Sequence, residues 1–235
     1  MLTRRHFIST TAALFSAPLA GPVAATLTGT LASTLASPAA AAPSAARKRA
    51  WDAQVTPANY DPATTNPWGF HARFLPQRVE ANAGLVPGDI HVDAVARYLY
   101  HIEEGGTAMR YGVAIARGNL YEPGTYTIRR KAEWPGWTPT PDMIKRDPAE
   151  YAQFADGMDP GPRNPLGARA LYLYEGNRDT YLRIHGTPHP TSIGGRASSG
   201  CVRMVMAHII DLYPTVKIGV TAHLYAAETY VTAQS

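Results

Sequence analysis

Glycine and proline cut this chain into short pieces between Asp89 and Tyr225, and that punctuation limits the fold more than any other feature. There are 20 Gly and 20 Pro among 235 residues. Proline removes a backbone donor and breaks helix interiors, so segments bounded this closely favour strands and loops. The pieces that survive alternate and are β-rich: Ile90–Asp93, Tyr98–Ile102, Ala108–Ala116, Thr125–Ile128, Leu171–Tyr174 and Tyr181–Ile184. Glu104-Gly105-Gly106 and Glu175-Gly176-Asn177-Arg178-Asp179 read as hairpin turns. Val216–Val220 and Ala222–Tyr225 read as closing strands. One longer stretch breaks the pattern: Val202, Val205, Met206, Ile209, Ile210 and Tyr213 recur at helical spacing and predict a helix from Val202 to about Tyr213. Many short strands and few helices imply a mostly β architecture.

The flanks differ from this centre. Residues 1–46 read as a targeting segment, with Thr3-Arg4-Arg5-His6-Phe7-Ile8 similar to a twin-arginine export motif and small residues from Ala39 to Ala42 suited to cleavage. Ser16, Pro18, Gly21 and Pro22 interrupt the first apolar run, which falls short of the about 18 apolar residues of a membrane span. Export to the periplasm is therefore the expected address. Residues 47–86, with Pro57, Pro62, Pro67 and Pro76, are expected to be an extended lead-in of irregular coil, with Phe70–Phe74 its one strand candidate. Residues 87–226 form the expected catalytic domain, and 227–235 a tail. Inside the domain, about 132–165 is a Pro-rich insertion of the length expected of a lid. Short helices are expected at Pro141–Lys145 and Ala149–Phe154, and Trp134 and Trp137 are candidates either to stack on substrate or to pack the insertion onto the domain.

The chain holds a single cysteine, Cys201, at the end of a loop rich in Gly, Pro, Ser and Thr. Upstream, the Tyr181–Ile184 strand ends at His185. If the helix begins at Val202, the thiol sits at its positive end, which favours thiolate. A strand end and a loop can bring His185 beside it as base. An idle thiol in an oxidising compartment is a liability, which favours a working cysteine over a buried inert one. His189, between Pro188 and Pro190, invites a metal reading with Cys201. No carboxylate lies in the stretch, and the helical two-histidine geometry is unavailable there, so no metal is expected. The acids Asp142, Asp147, Glu150, Asp156 and Asp159 are scattered, against a paired-carboxylate site. Net charge is +4, with Lys+Arg 22 against Asp+Glu 18. That balance lacks the clustered basic signature of nucleic-acid binding and is compatible with an anionic polymer such as a cell wall.

His185-Gly186-Thr187, a glycine-containing loop, and Ser198-Ser199-Gly200-Cys201-Val202-Arg203-Met204 together resemble the signature of the YkuD-type L,D-transpeptidases, the ErfK/YbiS-like family. The resemblance extends through Pro123-Gly124-Thr125-Tyr126, Glu133-Trp134-Pro135-Gly136-Trp137 and Asn164–Leu173, covering roughly Pro87 to Ala226. The family commonly has a second histidine before the Gly-Cys. This chain has Ser199 there, similar to a variant of a proteobacterial branch. The resemblance implies a β-sandwich of the L,D-transpeptidase catalytic-domain type, with a short helix after the catalytic Cys, a loop-rich lid, and the cysteine at the sandwich rim.

The resemblance also implies a chemistry that uses no cofactor. Cys201 attacks the L-centre carbonyl of a peptidoglycan stem peptide, expels a terminal D-amino acid, and passes the acyl group to an amine. His185 serves as base, oriented by a backbone carbonyl near Gly186. Gly200 and Cys201 N–H groups hold the oxyanion, with Gly186 and Ser199 assigned to the same oxyanion and orienting shell. Arg203 is a candidate to bind a stem-peptide carboxylate or to brace the loop. The acceptor is a second stem peptide, giving a 3–3 cross-link, or a protein to be tethered to the wall, and one chain is expected to act as a monomer. The rivals are an L,D-carboxypeptidase or endopeptidase that resolves the same acyl-enzyme with water, and a non-enzymatic wall-binding module. An unrelated cysteine protease is disfavoured, because no Asn or Asp partner lies in the stretch.

Overall fold

The computed structural model describes residues 42–228, all within one compact unit. The twin-arginine motif and most of the expected tail lie outside the described residues. Helix α1 spans Ala45–Val55, followed by strands β1 (Gln77–Glu80), β2 (Ile90–Asp93), β3 (Tyr98–Ile102), β4 (Thr107–Gly112), β5 (Ile115–Ala116) and β6 (Gly124–Glu133). Helices α2 (Pro141–Arg146) and α3 (Pro148–Tyr151) come next, then β7 (Arg169–Glu175), β8 (Arg178–Thr187), β9 (Arg196–Ser198), β10 (Val202–Val205), α4 (Met206–Leu212) and β11 (Thr221–Leu224). Among the described residues no helix is long and apolar enough to cross a membrane.

The fold is mostly β. Nine strands form one sheet in the order β1-β4-β3-β2-β11-β6-β7-β8-β10, and β5 pairs with β9 separately. The large sheet curls on itself: Arg203 of edge strand β10 exchanges backbone hydrogen bonds with Ala114, just beyond β4, at 2.8 and 3.0 Å. The two halves thus face each other across one apolar core, a sandwich in which Ile90, Leu99, Ile128, Leu173, Ile184 and Met204 are all fully buried. The alternation seen in the sequence produces this, since every second residue of a strand faces the core.

Several expectations need correction. Residues 47–86 are not irregular throughout. The proline-free run before Pro57 forms α1, capped by the Ser44 side chain, which accepts from Arg47 N–H at 3.3 Å. Phe70–Phe74 is not a strand. Ala72–Phe74 makes one 3-10 turn, and the strand comes later as β1, paired with β4. Val216–Val220 is not a strand either; only β11 closes the sheet.

The largest correction concerns Val202–Val205, which pair in parallel with Ile184–Thr187 as β10, so the helix begins only at Met206. Val202 and Val205 fit either period, and a free edge on β8 settles the choice by tertiary pairing. Helix α4 then packs back over β7 and β8. Gly186 makes that possible, because a Cβ there would lie 2.9 Å from Met206 Sδ and 3.1 Å from Ile209 Cγ2.

Candidate active site

Strands β8 and β10 carry the site on the side away from the core. In parallel register Arg203 lies opposite His185, and Val202 opposite Ile184. Leu182, Ile184, Val202 and Met204 are buried in the core, so Arg183, His185 and Arg203 point the other way. Cys201 precedes β10 by one residue and lines the same cavity as His185, Ser199, Gly200 and Arg203. The cavity measures about 980 Å³ and is roofed by Trp137 and Tyr151 of the insertion.

His185 is 4% exposed. Its Nδ1 lies 2.6 Å from Gly186 O. A carbonyl can only accept, so Nδ1 carries the proton in the neutral ring and Nε2 is its basic nitrogen. Burial pushes the imidazole pKa down to about 3; the Gly186 and Pro165 carbonyls oppose the shift, and the Arg203 and Arg183 charges add to it. His185 is therefore neutral across the physiological range.

Cys201 also departs from expectation. It sits at the start of a strand, and the N-terminus of α4 lies beyond β10, so no helix dipole stabilises its thiolate. Burial pushes the thiol pKa up, against the lowering pull of the Arg183 backbone N–H and the Arg183 and Arg203 side chains. The Sγ–H donates to Tyr181 O at 3.8 Å. Both shifts run toward the uncharged forms, thiol for Cys201 and neutral imidazole for His185.

The surrounding residues sort by where they point. Gly200 has φ +146°, a left-handed conformation that a side chain would strain. Ser198 braces the turn: its hydroxyl donates to Cys201 O, and Gly200 N–H approaches its Oγ at 3.4 Å. Ser199 Oγ faces outward, 3.0 Å from Tyr151 Oη. Arg203 is half-buried, and among the described residues no hydrogen bond or ion pair engages its guanidinium; burial lowers its pKa. Arg183 is committed, bidentate to Asp179 at 2.7 and 2.9 Å and stacked over Tyr172. His189 is exposed at the cavity edge. Among the described residues no group of three His, Cys, Asp or Glu is arranged to hold a metal.

The two tryptophans part company. Trp137 lines the cavity, whereas Trp134 is 1% exposed and faces away from it. Trp134 Nε1 donates to Asp52 at 2.8 Å, and its ring meets Trp51 of α1 edge-on. The stacking role expected of Trp134 is corrected: it docks α1. Gly186 serves through its carbonyl and its missing side chain, not as a cavity wall. Tyr151 and Tyr181 escaped the sequence reading. Tyr151 belongs to an insertion without period, and Tyr181 owes its place to a β-bulge at φ +61°, visible only in the register between β7 and β8.

Comparison with known proteins adds an independent line. The family description "YkuD: L,D-transpeptidase catalytic domain" matches residues 87–224. The chain is 31% identical over 148 residues to "Probable L,D-transpeptidase ErfK/SrfK" of Escherichia coli, covering 62% of this chain and 46% of that protein. It is 29% identical over 169 residues to "Probable L,D-transpeptidase YbiS" of the same organism, covering 69% and 52%. The chain thus spans about half the length of these curated relatives. Among solved structures, one titled "Probable carnitine operon oxidoreductase caia" from Brucella melitensis shares 48% identity over 68% of this chain and 94% of that one, at a TM-score of 0.45. The family match spans more than half of the chain and encloses both His185 and Cys201, and the chain belongs to the YkuD L,D-transpeptidase catalytic-domain family.

Proposed function

We propose that the chain is an exported peptidoglycan L,D-transpeptidase acting through an acyl-Cys201 intermediate. The observation that carries this reading is the His185 Nδ1 to Gly186 carbonyl bond, which makes Nε2 the basic nitrogen of a ring that lines the same cavity as the only cysteine. Substrate binding displaces water, and the thiol proton passes from Sγ to His185 Nε2 as sulfur attacks the carbonyl of the stem-peptide L-centre. The oxyanion is held by the N–H groups of Gly200 and Cys201, in the turn set by the Gly200 backbone and the Ser198 hydroxyl. The imidazolium returns its proton to the departing D-amino acid. An acceptor amine then loses a proton to Nε2, forms the new amide, and restores the thiol. Arg203, whose guanidinium has no hydrogen bond or ion pair among the described residues, suits a stem-peptide carboxylate.

The acceptor is assigned as a second stem peptide or a wall-tethered protein, the compartment as the periplasm, and the active unit as a monomer. The Arg4-Arg5 pair is the proposed export determinant. The test is direct. Purified chain incubated with a stem tetrapeptide and an amine acceptor should release the terminal D-amino acid and form the cross-linked product, and a carbapenem should add its mass to Cys201. Release of the amino acid with only free acid as second product assigns the hydrolase instead. No release and no adduct leaves a wall-binding module.

A further inference from the structure

Among the described residues, one side-chain hydrogen bond joins the insertion to the cysteine-bearing turn. Tyr151, the last residue of α3, is 7% exposed, and its Oη lies 3.0 Å from Ser199 Oγ. Its ring packs edge-on against Trp137 at 6.3 Å between centroids, and Trp137 meets Phe154 at 5.8 Å. On the other side Arg117 reaches Asp147 and Glu150, which begin α3, at 3.8 Å each. The backbone N–H of the same Arg117 donates to Ser198 O at 2.9 Å. Helix α3 is therefore fastened to both serines that precede Gly200-Cys201. Those serines have separate tasks: Ser198, 2% exposed, braces the turn from within, and Ser199 offers its hydroxyl to the insertion. Ring packing alone accounts for Tyr151 as an aromatic. It does not account for a hydroxyl aimed at the one side chain between the brace and the nucleophile turn.

We propose that Tyr151 is a positioning residue whose hydroxyl, bonded to Ser199, latches the insertion over Cys201 and shields the acyl-enzyme from water until an amine enters. This rests on the acyl-transfer reading above. In the thioester state, water attack breaks the S–C bond and gives a free acid. Amine attack breaks the same bond and gives an amide, and either returns the thiol. The latch enters neither balance; it sets which nucleophile arrives. Loss of one neutral hydrogen bond shifts a latched equilibrium by about fivefold.

The test uses the full chain with Tyr151→Phe, Ser199→Ala and the double variant. Tyr151→Phe keeps the ring against Trp137, and cooperative melting within a few degrees of the parent establishes that all three fold. The first readout needs no natural substrate: the rate at which a bulky maleimide labels Cys201. Each single variant should label about fivefold faster than the parent, the double no faster than either single, and small iodoacetamide should respond less. The second readout is the hydrolysed share of donor peptide at fixed amine, which should rise in the same variants. Labelling that is unchanged, or single effects that add in the double, overturns the latch. Latch-type labelling with no donor turnover in the parent upholds the latch and instead removes the transpeptidase reading.

Discussion

Two parts of this molecule are furnished alike. Each buries a histidine and holds a tryptophan, and only one is built for chemistry. On the cavity side stand His185 and Trp137; where the lead-in docks on α4, His208 packs against Trp68, and Trp134 sits in a separate cluster with Trp51 and Met206. Both histidines are pushed down to about pKa 3 by burial. His208 is fully buried and boxed by Tyr60, Trp68, Phe70 and Tyr111 at 5.5 to 6.2 Å, with neither ring nitrogen hydrogen-bonded among the described residues. His185 has one nitrogen fixed by Gly186 and opens on the cavity. Residue type, burial and a displaced pKa are therefore common to both regions. What separates them is an oriented tautomer and a way in for substrate.

The sharpest way to break that contrast is to exchange the chemistry of the two histidines. His185→Ala should lower the rate of Cys201 acylation by about 10²–10⁴, the range for a lost general base. His208→Leu should leave kcat within a small factor and be near neutral in stability, because it replaces buried polar atoms that have no partner. Carbapenem acylation followed by mass spectrometry measures the first, and denaturant unfolding the second. A folded His208→Leu that is as slow as His185→Ala would remove the distinction drawn here. Cys201→Ser should abolish turnover in either case.

The tryptophans invert the effect. Trp134→Ala should destabilise by about 3–5 kcal/mol, the usual consequence of emptying a buried tryptophan site. It also strips a partner from Asp52, which is shared with Arg169 at 2.6 and 2.9 Å. Chemical denaturation checks the loss. The folded fraction should keep its kcat, because Trp134 touches nothing in the cavity.

The contrast also marks what the sequence could and could not reveal. Strands β2, β3, β4, β6, β7 and β8 were legible because period-two alternation and Gly or Pro punctuation are local signals. His185 and Cys201 were legible from the strand and the Gly-rich loop that flank them, although β8 does not end at His185 as expected and runs on to Thr187, where it pairs with β10. Val202–Val205 was misread because its apolar spacing fits a helix, and only the open edge of β8 converts it to a strand. That one change moves the thiol from a helix start to a strand start and removes the helix dipole from its surroundings, and burial then pushes its pKa up instead of down. Trp134 and Trp137 are three residues apart in a proline-rich run, and nothing local tells which turns inward. The left-handed Trp134, φ +46°, does.

Acid should report on both regions at once. Free histidine titrates near pH 6.5, whereas both buried rings titrate near 3. Between those values the unfolded chain holds more protons than the folded one, so stability falls as pH falls. The contribution is fully present above about pH 6.5 and shrinks by about 1.5 kcal/mol per histidine on going to pH 5. Unfolding curves at pH 6.5 and 5 should show it, and His208→Leu should remove one histidine's share of the slope. Iodoacetamide labelling of Cys201 should rise only at a pH above the ordinary thiol range, with no plateau near neutrality. A neutral-pH plateau would mean that an ion pair forms in place of the neutral pair inferred from burial.

The smallest expected effect tests whether Trp137 serves substrate or only the insertion. Its ring contacts Tyr151 and Phe154 edge-on, and its backbone pairs with Met158 at 2.9 and 2.6 Å, so packing is already one task. The half-exposed remainder lines the cavity. Trp137→Phe retains an aromatic edge for Tyr151 while removing part of the flat face that a peptide or sugar would cover. An aromatic contact of this kind is worth about 1 kcal/mol, so KM for the donor should rise about fivefold with kcat and the hydrolysed share little changed. If KM stays fixed while the hydrolysed share climbs, Trp137 acts by supporting Tyr151, and both cavity-side aromatics then belong to the latch, with neither contacting the substrate.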